Sequence, residues 1–193
     1  RLIDNEETRK KYPFPFCLEI GYRIQRKQID VLWTVKNTGD KEMYFQIGAH
    51  PAFYFPEFNN VNAERGFFEF DKKEGIKGCT DPNKEYLLEL PSDGLLPIDT
   101  HTFDKDALII ENSQIKEVIL CTKEKKPYLS LRFTAPVVGL WSPPTKNAPF
   151  VCIEPWYGRC DRAHYTGEYK DKDWMQHLVA GEKFQGGYSI IIA

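Results

Sequence analysis

Alternation of apolar and polar side chains is the feature that most constrains how this chain can fold. From Phe14 to Ile24 every even-numbered residue is aromatic or aliphatic, and from Ile29 to Val35 every odd-numbered residue is. A period of two places successive side chains on opposite faces of a β-strand. The polar connection at residues 25–28 therefore predicts an antiparallel hairpin with one buried face.

Shorter segments of the same kind recur along the rest of the chain. A third strand is expected at Met43–Gly48, after a turn at residues 37–40. Further strands are predicted at about residues 66–70, 85–90, 106–111, 115–122, 128–133, 137–141, 150–156 and 187–192. Helix is sparse, and the best candidate is a short one near Lys172–Leu178. This pattern favours an all-β fold, an antiparallel β-sandwich, in a single domain over residues 1–193.

Charge and hydropathy exclude several classes of partner. The 193 residues include 26 basic and 28 acidic ones, giving a net charge of −2, and no basic block is present. Nucleic acid is therefore not an expected partner. No apolar run reaches the roughly 18–20 residues that span a bilayer, and no secretory signal is recognisable, so a membrane is not an expected partner either.

Cysteine usage indicates the compartment. The cysteines are Cys17, Cys79, Cys121, Cys152 and Cys160. Their number is odd and no CxxC pair occurs, so neither a disulfide framework nor a zinc ribbon is indicated. Scattered free thiols suit a reducing compartment, and we expect a cytoplasmic location. Cys152 is interpreted as a small core residue rather than a nucleophile.

Two titratable residues occur in apolar, aromatic and proline-flanked segments. His50 lies in the segment 47–53, and Glu154 lies in the segment 150–156. Burial beside aromatic residues raises the pKa of a carboxyl group, and histidine titrates near neutrality without help. If folding brings His50 and Glu154 together, they form an acid and a base that can move protons at neutral pH. A structural histidine and a strand-end salt bridge, for example from Glu154 to Arg159, are the alternatives.

The other polar candidates carry weaker signals. His101, His164 and His177 have no metal-ligand spacing and are expected on the surface. Asp106 precedes an apolar run, where it could bind a polar ligand or cap a turn. Arg159 and Arg162 follow Glu154 closely and could border the same cleft, or lie in a surface loop.

These residues resemble a known family. The segments Gly48-Ala49-His50-Pro51-Ala52-Phe53 and Phe150–Gly158 resemble two signatures of the aldose 1-epimerases, or mutarotases, and of their LacX-like branch in particular. The stretches 8–14, 103–109 and 139–142 also match that branch, in the same order.

The resemblance implies a galactose-mutarotase-like β-supersandwich that interconverts the α and β anomers of a free hexose without metal or other cofactor. It implies that Glu154 takes the proton of the C1 hydroxyl and that His50 gives a proton to the ring oxygen. It also implies that Asp106 binds sugar hydroxyls and that Trp141 lines the pocket. An acid and a base that flank one sugar ring should be about 5–8 Å apart, given hydrogen-bond reach at each end.

The family pattern includes about a hundred residues before the point that matches Arg1, with further strands and another active-site histidine. We therefore expect this chain to correspond to the C-terminal two-thirds of a mutarotase, which keeps the acid and the base but lacks part of the sugar pocket. Uncovered sheet edges would then favour self-association.

Two other functions remain open at this stage. One is a non-catalytic carbohydrate-binding module on the same scaffold. The other is a hexose-phosphate 1-epimerase, which would need a cationic cluster such as Arg159 with Arg162.

Overall fold

The computed structural model describes residues 1–81 and 84–193 of the chain. Almost all regular structure in these residues is β-strand. The strands are Leu2–Ile3 (β1), Phe16–Gln25 (β2), Gln28–Asn37 (β3), Met43–Phe45 (β4), Ile47–Gly48 (β5), Ala52–Tyr54 (β6), Glu64–Phe70 (β7), Lys77–Asp81 (β8), Lys84–Leu87 (β9), Leu95–Asp99 (β10), Leu108–Ile110 (β11), Glu117–Cys121 (β12), Pro127–Phe133 (β13), Val137–Trp141 (β14), Phe150–Tyr157 (β15), Gln176–Leu178 (β16) and Lys183–Ile192 (β17). An α-helix spans Glu6–Lys11 (α1), and a 3₁₀ turn spans Tyr169–Asp171.

The strands form two large antiparallel sheets and one small one. The eight-stranded sheet has the order β1-β2-β3-β17-β13-β12-β7-β10. The seven-stranded sheet has the order β5-β15-β14-β11-β8-β9, with β6 also paired to β15. Strands β16 and β4 form a separate pair. The all-β antiparallel sandwich expected from the alternation is confirmed.

The main hydrophobic core lies between the two large sheets. The eight-stranded sheet contributes residues such as Phe68, Leu120 and Leu131, and the seven-stranded sheet contributes residues such as Leu140 and Ile153. Each of these side chains is fully buried. Because side chains alternate along a strand, the residues between them point to the outer faces of the sandwich. The candidate site described below is on the outer face of the seven-stranded sheet.

The predicted hairpin is confirmed as β2 and β3, which pair along their whole length from Phe16↔Asn37 to Gln25↔Gln28. The helix expected near Lys172–Leu178 is wrong. Trp174 has a φ of 60°, which a right-handed helix does not accommodate. Beyond it, β16 pairs with β4, so a long-range contact decides the conformation of this segment.

The helix that does form, α1, is absent from the sequence-based expectations. Its N-terminus carries a capping box, in which the Asn5 side chain accepts from the Thr8 backbone N–H at 3.0 Å. The Asn5 backbone N–H in turn donates to the Thr8 hydroxyl oxygen at 2.8 Å. The sequence signal for this helix was therefore an N-cap residue, Asn5, followed three positions later by a residue with a hydroxyl group, Thr8.

One apolar row is left uncovered on the hairpin. Ile20, Tyr22 and Ile24 are 40 %, 71 % and 72 % exposed, although the register places them beside the buried Trp33 and Val31. They therefore lie on the same face of the sheet as the hydrophobic core, but at a part of the sheet that nothing in the described chain covers. Within the described residues, β1 pairs only with the start of β2, so residues 19–25 also form an open strand edge.

We predict that this apolar row makes the chain self-associate, because exposed apolar surface beside an open strand edge favours pairing with another chain. Light scattering after size-exclusion chromatography should report a mass above that of one 22.5 kDa chain at micromolar concentrations. Replacing Tyr22 and Ile24 by Lys should shift the chain to monomer, whereas Val61→Lys, at another exposed apolar position, should not. A wild-type chain that stays monomeric as its concentration rises would contradict this prediction.

Candidate active site

Glu154 is placed by the alternation of strand β15. Its neighbours Val151 and Ile153 point into the core, so Cys152, Glu154 and Trp156 point to the outer face. Across the ladder Glu154 lies opposite Gly139 of β14, where the indole of Trp156 occupies the space that a side chain would fill. The carboxylate side chain is only 7 % exposed. The sequence thus folds a carboxylate into a largely desolvated position on the sheet surface.

His50 is brought to the same place by backbone hydrogen bonds between its segment and β15. Gly48 pairs with Trp156 in the ladder. The Ala49 N–H donates to the Pro155 carbonyl oxygen at 3.1 Å, and the Ile153 N–H donates to the Pro51 carbonyl oxygen at 3.3 Å. Because these bonds flank His50 on both sides, its backbone is fixed beside Glu154.

The two side chains are in direct contact. The Nδ1 atom of His50 is 3.2 Å from Oε1 of Glu154, and the imidazole side chain is 60 % exposed. The structure therefore brings the predicted pair together, but the expected separation of about 5–8 Å is wrong. That estimate placed the groups on opposite sides of a ring. The C1 hydroxyl oxygen and the ring oxygen of a sugar are bonded to the same carbon, so adjacent groups can reach both.

Burial shifts the proton affinity of Glu154. Desolvation disfavours the ionised carboxylate and raises its pKa to about 7, and a hydrogen bond from the Trp156 side chain opposes part of this rise. A carboxyl group with this pKa exchanges protons readily at neutral pH, which is the property that a general acid–base catalyst needs.

Trp141 contacts the acid–base pair, and Asp106 precedes a strand of the same sheet. The indole of Trp141 contacts the His50 ring edge to face, with 5.6 Å between the ring centroids. Asp106 is exposed and precedes β11, which pairs Leu108 with Leu140 at the end of β14 that carries Trp141. Asp106 has a φ of 107°, and its carboxylate accepts from the Ala107 N–H at 2.7 Å. Residues without a glycine's freedom adopt such a φ only where the surroundings enforce it.

Arg159 does not pair with Glu154, so the salt bridge considered for these two residues is wrong. Its buried guanidinium instead forms ion pairs with Glu111 and Asp173. Glu111 also accepts from the indole N–H of Trp174 at 2.7 Å, and Arg162 contacts Asp173 at 2.6 Å. This group fixes the segment before β16 against the end of β11.

Three atoms of the site have the chemistry and the spacing of metal ligands. The ligand atoms of His50, Cys152 and Glu154 lie within 4.8 Å of one another, which is the only such group found in residues 1–81 and 84–193. The same proximity is what an acid–base pair requires. Burial raises the pKa of the Cys152 thiol to about 12, so this thiol is protonated at neutral pH.

The remaining histidines are on the surface, as the sequence predicts. His101 contacts Asp104 at 2.8 Å and His177 contacts Glu42 at 2.7 Å, and both imidazoles are well exposed. His164 is exposed as well. The His177–Glu42 pair repeats the His–Glu contact of the candidate site in a solvated position.

Comparison with known proteins decides the family. The sequence profile described as aldose 1-epimerase matches residues 1–190. The chain belongs to the aldose 1-epimerase family. This finding confirms the resemblance drawn from the two long segments around His50 and Glu154.

Among the helices that the structure describes, none is long and apolar enough to cross a membrane.

Relatives within the aldose 1-epimerase family include proteins named LacX and several solved structures. The plasmid-encoded protein LacX of Lactococcus lactis subsp. lactis is 26 % identical over 205 residues, which cover 97 % of this chain and 66 % of that protein. The crystal structure of a galactose mutarotase related enzyme from Lactobacillus acidophilus is 34 % identical with a TM-score of 0.89, covering 100 % of this chain and 66 % of that chain. This chain thus spans just under two-thirds of the length of these relatives.

A galactose mutarotase-like protein from Lactobacillus casei ATCC 334 shares the fold at 24 % identity, with a TM-score of 0.88. The match covers 100 % of this chain and 68 % of the Lactobacillus casei protein. These likenesses confirm the galactose-mutarotase-like sandwich.

Proposed function

We propose that this chain provides the acid–base centre of an aldose 1-epimerase, which interconverts the α and β anomers of a free hexose. The contact between His50 and Glu154 on a sheet surface carries the proposal, because anomerisation needs one group to remove a proton and another to supply one at the same carbon. Membership of the aldose 1-epimerase family supports it.

The proposed reaction starts with an ionised Glu154 and a protonated His50. Glu154 removes the proton of the C1 hydroxyl while His50 donates a proton to the ring oxygen, so the C1–O5 bond breaks and an aldehyde forms. Rotation about the C1–C2 bond presents the other face of the aldehyde. On closure the ring hydroxyl returns its proton to His50, Glu154 returns its proton to the C1 oxygen, and the catalyst is unchanged.

Other residues are proposed to hold the sugar. Trp141, beside the His50 ring, offers an apolar face to the sugar ring, and Asp106 offers a carboxylate to its hydroxyls. No metal or cofactor takes part in the proposed steps. The five free thiols support the proposal that the protein works in a reducing compartment such as the cytoplasm.

The arginines do not favour a sugar phosphate as substrate. Arg159 is buried and paired with Glu111 and Asp173, and Arg162 also contacts Asp173. Their charge is largely compensated by these carboxylates. A free hexose is therefore the substrate class that we propose.

Polarimetry of freshly dissolved α-glucose and α-galactose tests this function. We expect the chain to accelerate the decay of optical rotation in proportion to its concentration. The base must be ionised, and the pKa of Glu154 is about 7, so kcat/KM should fall about tenfold per pH unit as pH decreases below 7. An unperturbed carboxyl group would place that decline near pH 4.

Binding of the same sugars, measured by calorimetry, separates the alternatives. Sugar binding without acceleration at any pH would contradict the epimerase proposal and support a non-catalytic binding module. Neither binding nor acceleration would contradict both.

A further inference from the structure

The indole of Trp156 occupies a slot that two glycines leave open. Trp156 lies two residues after Glu154 on β15 and therefore projects from the same face. A Cβ atom at Gly139 would lie 2.5 Å from Cη2 of this indole, and one at Gly48 would lie 2.6 Å from Cδ1. Real side chains do not approach so closely, so both positions need glycine for the ring to lie flat against the sheet.

The polar end of this indole contacts the segment that carries His50. Its N–H donates to the carbonyl oxygen of Ala49, the residue before His50, at 3.3 Å. The other contacts named above between this segment and β15 are backbone hydrogen bonds and the contact of His50 with Glu154. Substitution of the indole can therefore loosen this junction without changing either member of the acid–base pair.

We propose that Trp156 is a positioning residue, which fixes the His50 segment beside Glu154 through its N–H group. Gly48 and Gly139 leave the space that the ring occupies, and the ring holds the His50 segment against β15. The effect on reaction rate rests on the proposed function, whereas the effect on the carboxylate does not.

Trp156→Phe tests the proposal, since it keeps an aromatic ring in the slot and removes the N–H. The matched control is Trp174→Phe, which also removes an indole N–H, one that donates to the buried carboxylate of Glu111. Carbon-13 NMR of glutamate side-chain carboxyls should show Glu154 titrating near pH 7 in the wild-type chain. Without the indole N–H the His50 segment can move away from Glu154, and the ionised carboxylate then loses its contact with His50. The midpoint should therefore move to higher pH in Trp156→Phe and stay in place in Trp174→Phe.

Steady-state kinetics of anomerisation provide a second test. In Trp156→Phe we expect kcat for anomerisation to fall about 10- to 100-fold with a smaller change in KM, because a displacement of about 1 Å in a reacting group can cost about 10²-fold in rate. The acid limb of the pH profile should move with the NMR midpoint. If the wild-type chain does not accelerate anomerisation but the midpoint still moves, the proposed function fails and the positioning role stands.

An unmoved Glu154 midpoint in folded Trp156→Phe would overturn the proposal, as would an equal shift in Trp174→Phe. Circular dichroism establishes that each variant is folded. If Trp156→Phe does not fold, Gly139→Ala is used instead, because its methyl group displaces the indole while leaving the N–H in the chain. The same upward shift is expected, and its absence would count equally against the role of Trp156.

Discussion

Glu154→Gln is expected to lower the rate of anomerisation about 10²–10⁴-fold, the usual cost of removing a general base. The amide has nearly the shape of the carboxyl group but cannot accept the C1 proton. Polarimetry measures the rate directly. Glu42→Gln is the matched control, because Glu42 also contacts a histidine but does so on the surface. A Glu154→Gln variant within threefold of the wild-type rate would refute the assignment.

Glu154→Gln lowers the rate, but it should raise the stability of the folded chain at pH 8. The pKa of Glu154 is about 7 in the folded chain and near its ordinary value of 4.5 in the unfolded chain. The folded state therefore binds more protons between these two values, and its stability falls as pH rises through this window. Glu154→Gln removes that loss, so the variant should gain about 3 kcal/mol over the wild type at pH 8 relative to pH 4.

Denaturant unfolding at both pH values measures this gain. If the variant loses activity but is more stable at pH 8, Glu154 serves catalysis and destabilises the folded chain when it is ionised. A structural carboxylate would instead stabilise the folded chain. If the free energy of unfolding depends on pH in the same way in the wild type and in Glu154→Gln, burial does not raise the pKa of Glu154.

His50→Gln is expected to have the second large effect, again about 10²–10⁴-fold in rate. Glutamine can donate a hydrogen bond to the ring oxygen, but it cannot transfer a proton there. Because the His50 side chain is 60 % exposed, its replacement should leave the free energy of unfolding nearly unchanged. His177→Gln is the control, and equal effects of the two substitutions on the rate would exclude a specific role for His50.

The sequence predicted those parts of the fold that depend on local pattern. The hairpin of β2 and β3 follows from side chains that alternate over ten-residue strands, so its existence could be inferred. The alternation also predicted a buried face, which is wrong for Ile20, Tyr22 and Ile24, because no element of the described chain covers them. Strand β16 is only three residues long and depends on its pairing with β4, more than a hundred residues away in sequence. No local pattern reports such a contact, and the segment was therefore expected to be helical.

The candidate site was predictable to a similar extent. His50 and Glu154 were found through segments that resemble a family, whereas their spacing in sequence says nothing about their contact. The pairing of Arg159 with Glu111 joins residues 48 positions apart and could not be inferred either. The one available signal was a carboxylate directly after the apolar run 108–110, since buried carboxylates require partners.

The role of Trp156 also needed the three-dimensional structure. Its sequence position two residues after Glu154 placed it on the correct face. The slot formed by Gly48 and Gly139 joins two distant segments, so only the coordinates show why both are glycine.

The most direct test of the central claim is the rate of the double variant His50→Gln/Glu154→Gln, measured by polarimetry beside both single variants. If the two residues act as one acid–base unit, removing either disables it, and removing both should cost little more than the more damaging single change. The account predicts that the double variant lies within about tenfold of that single variant. Losses that multiply, so that each residue contributes independently of the other, would contradict it.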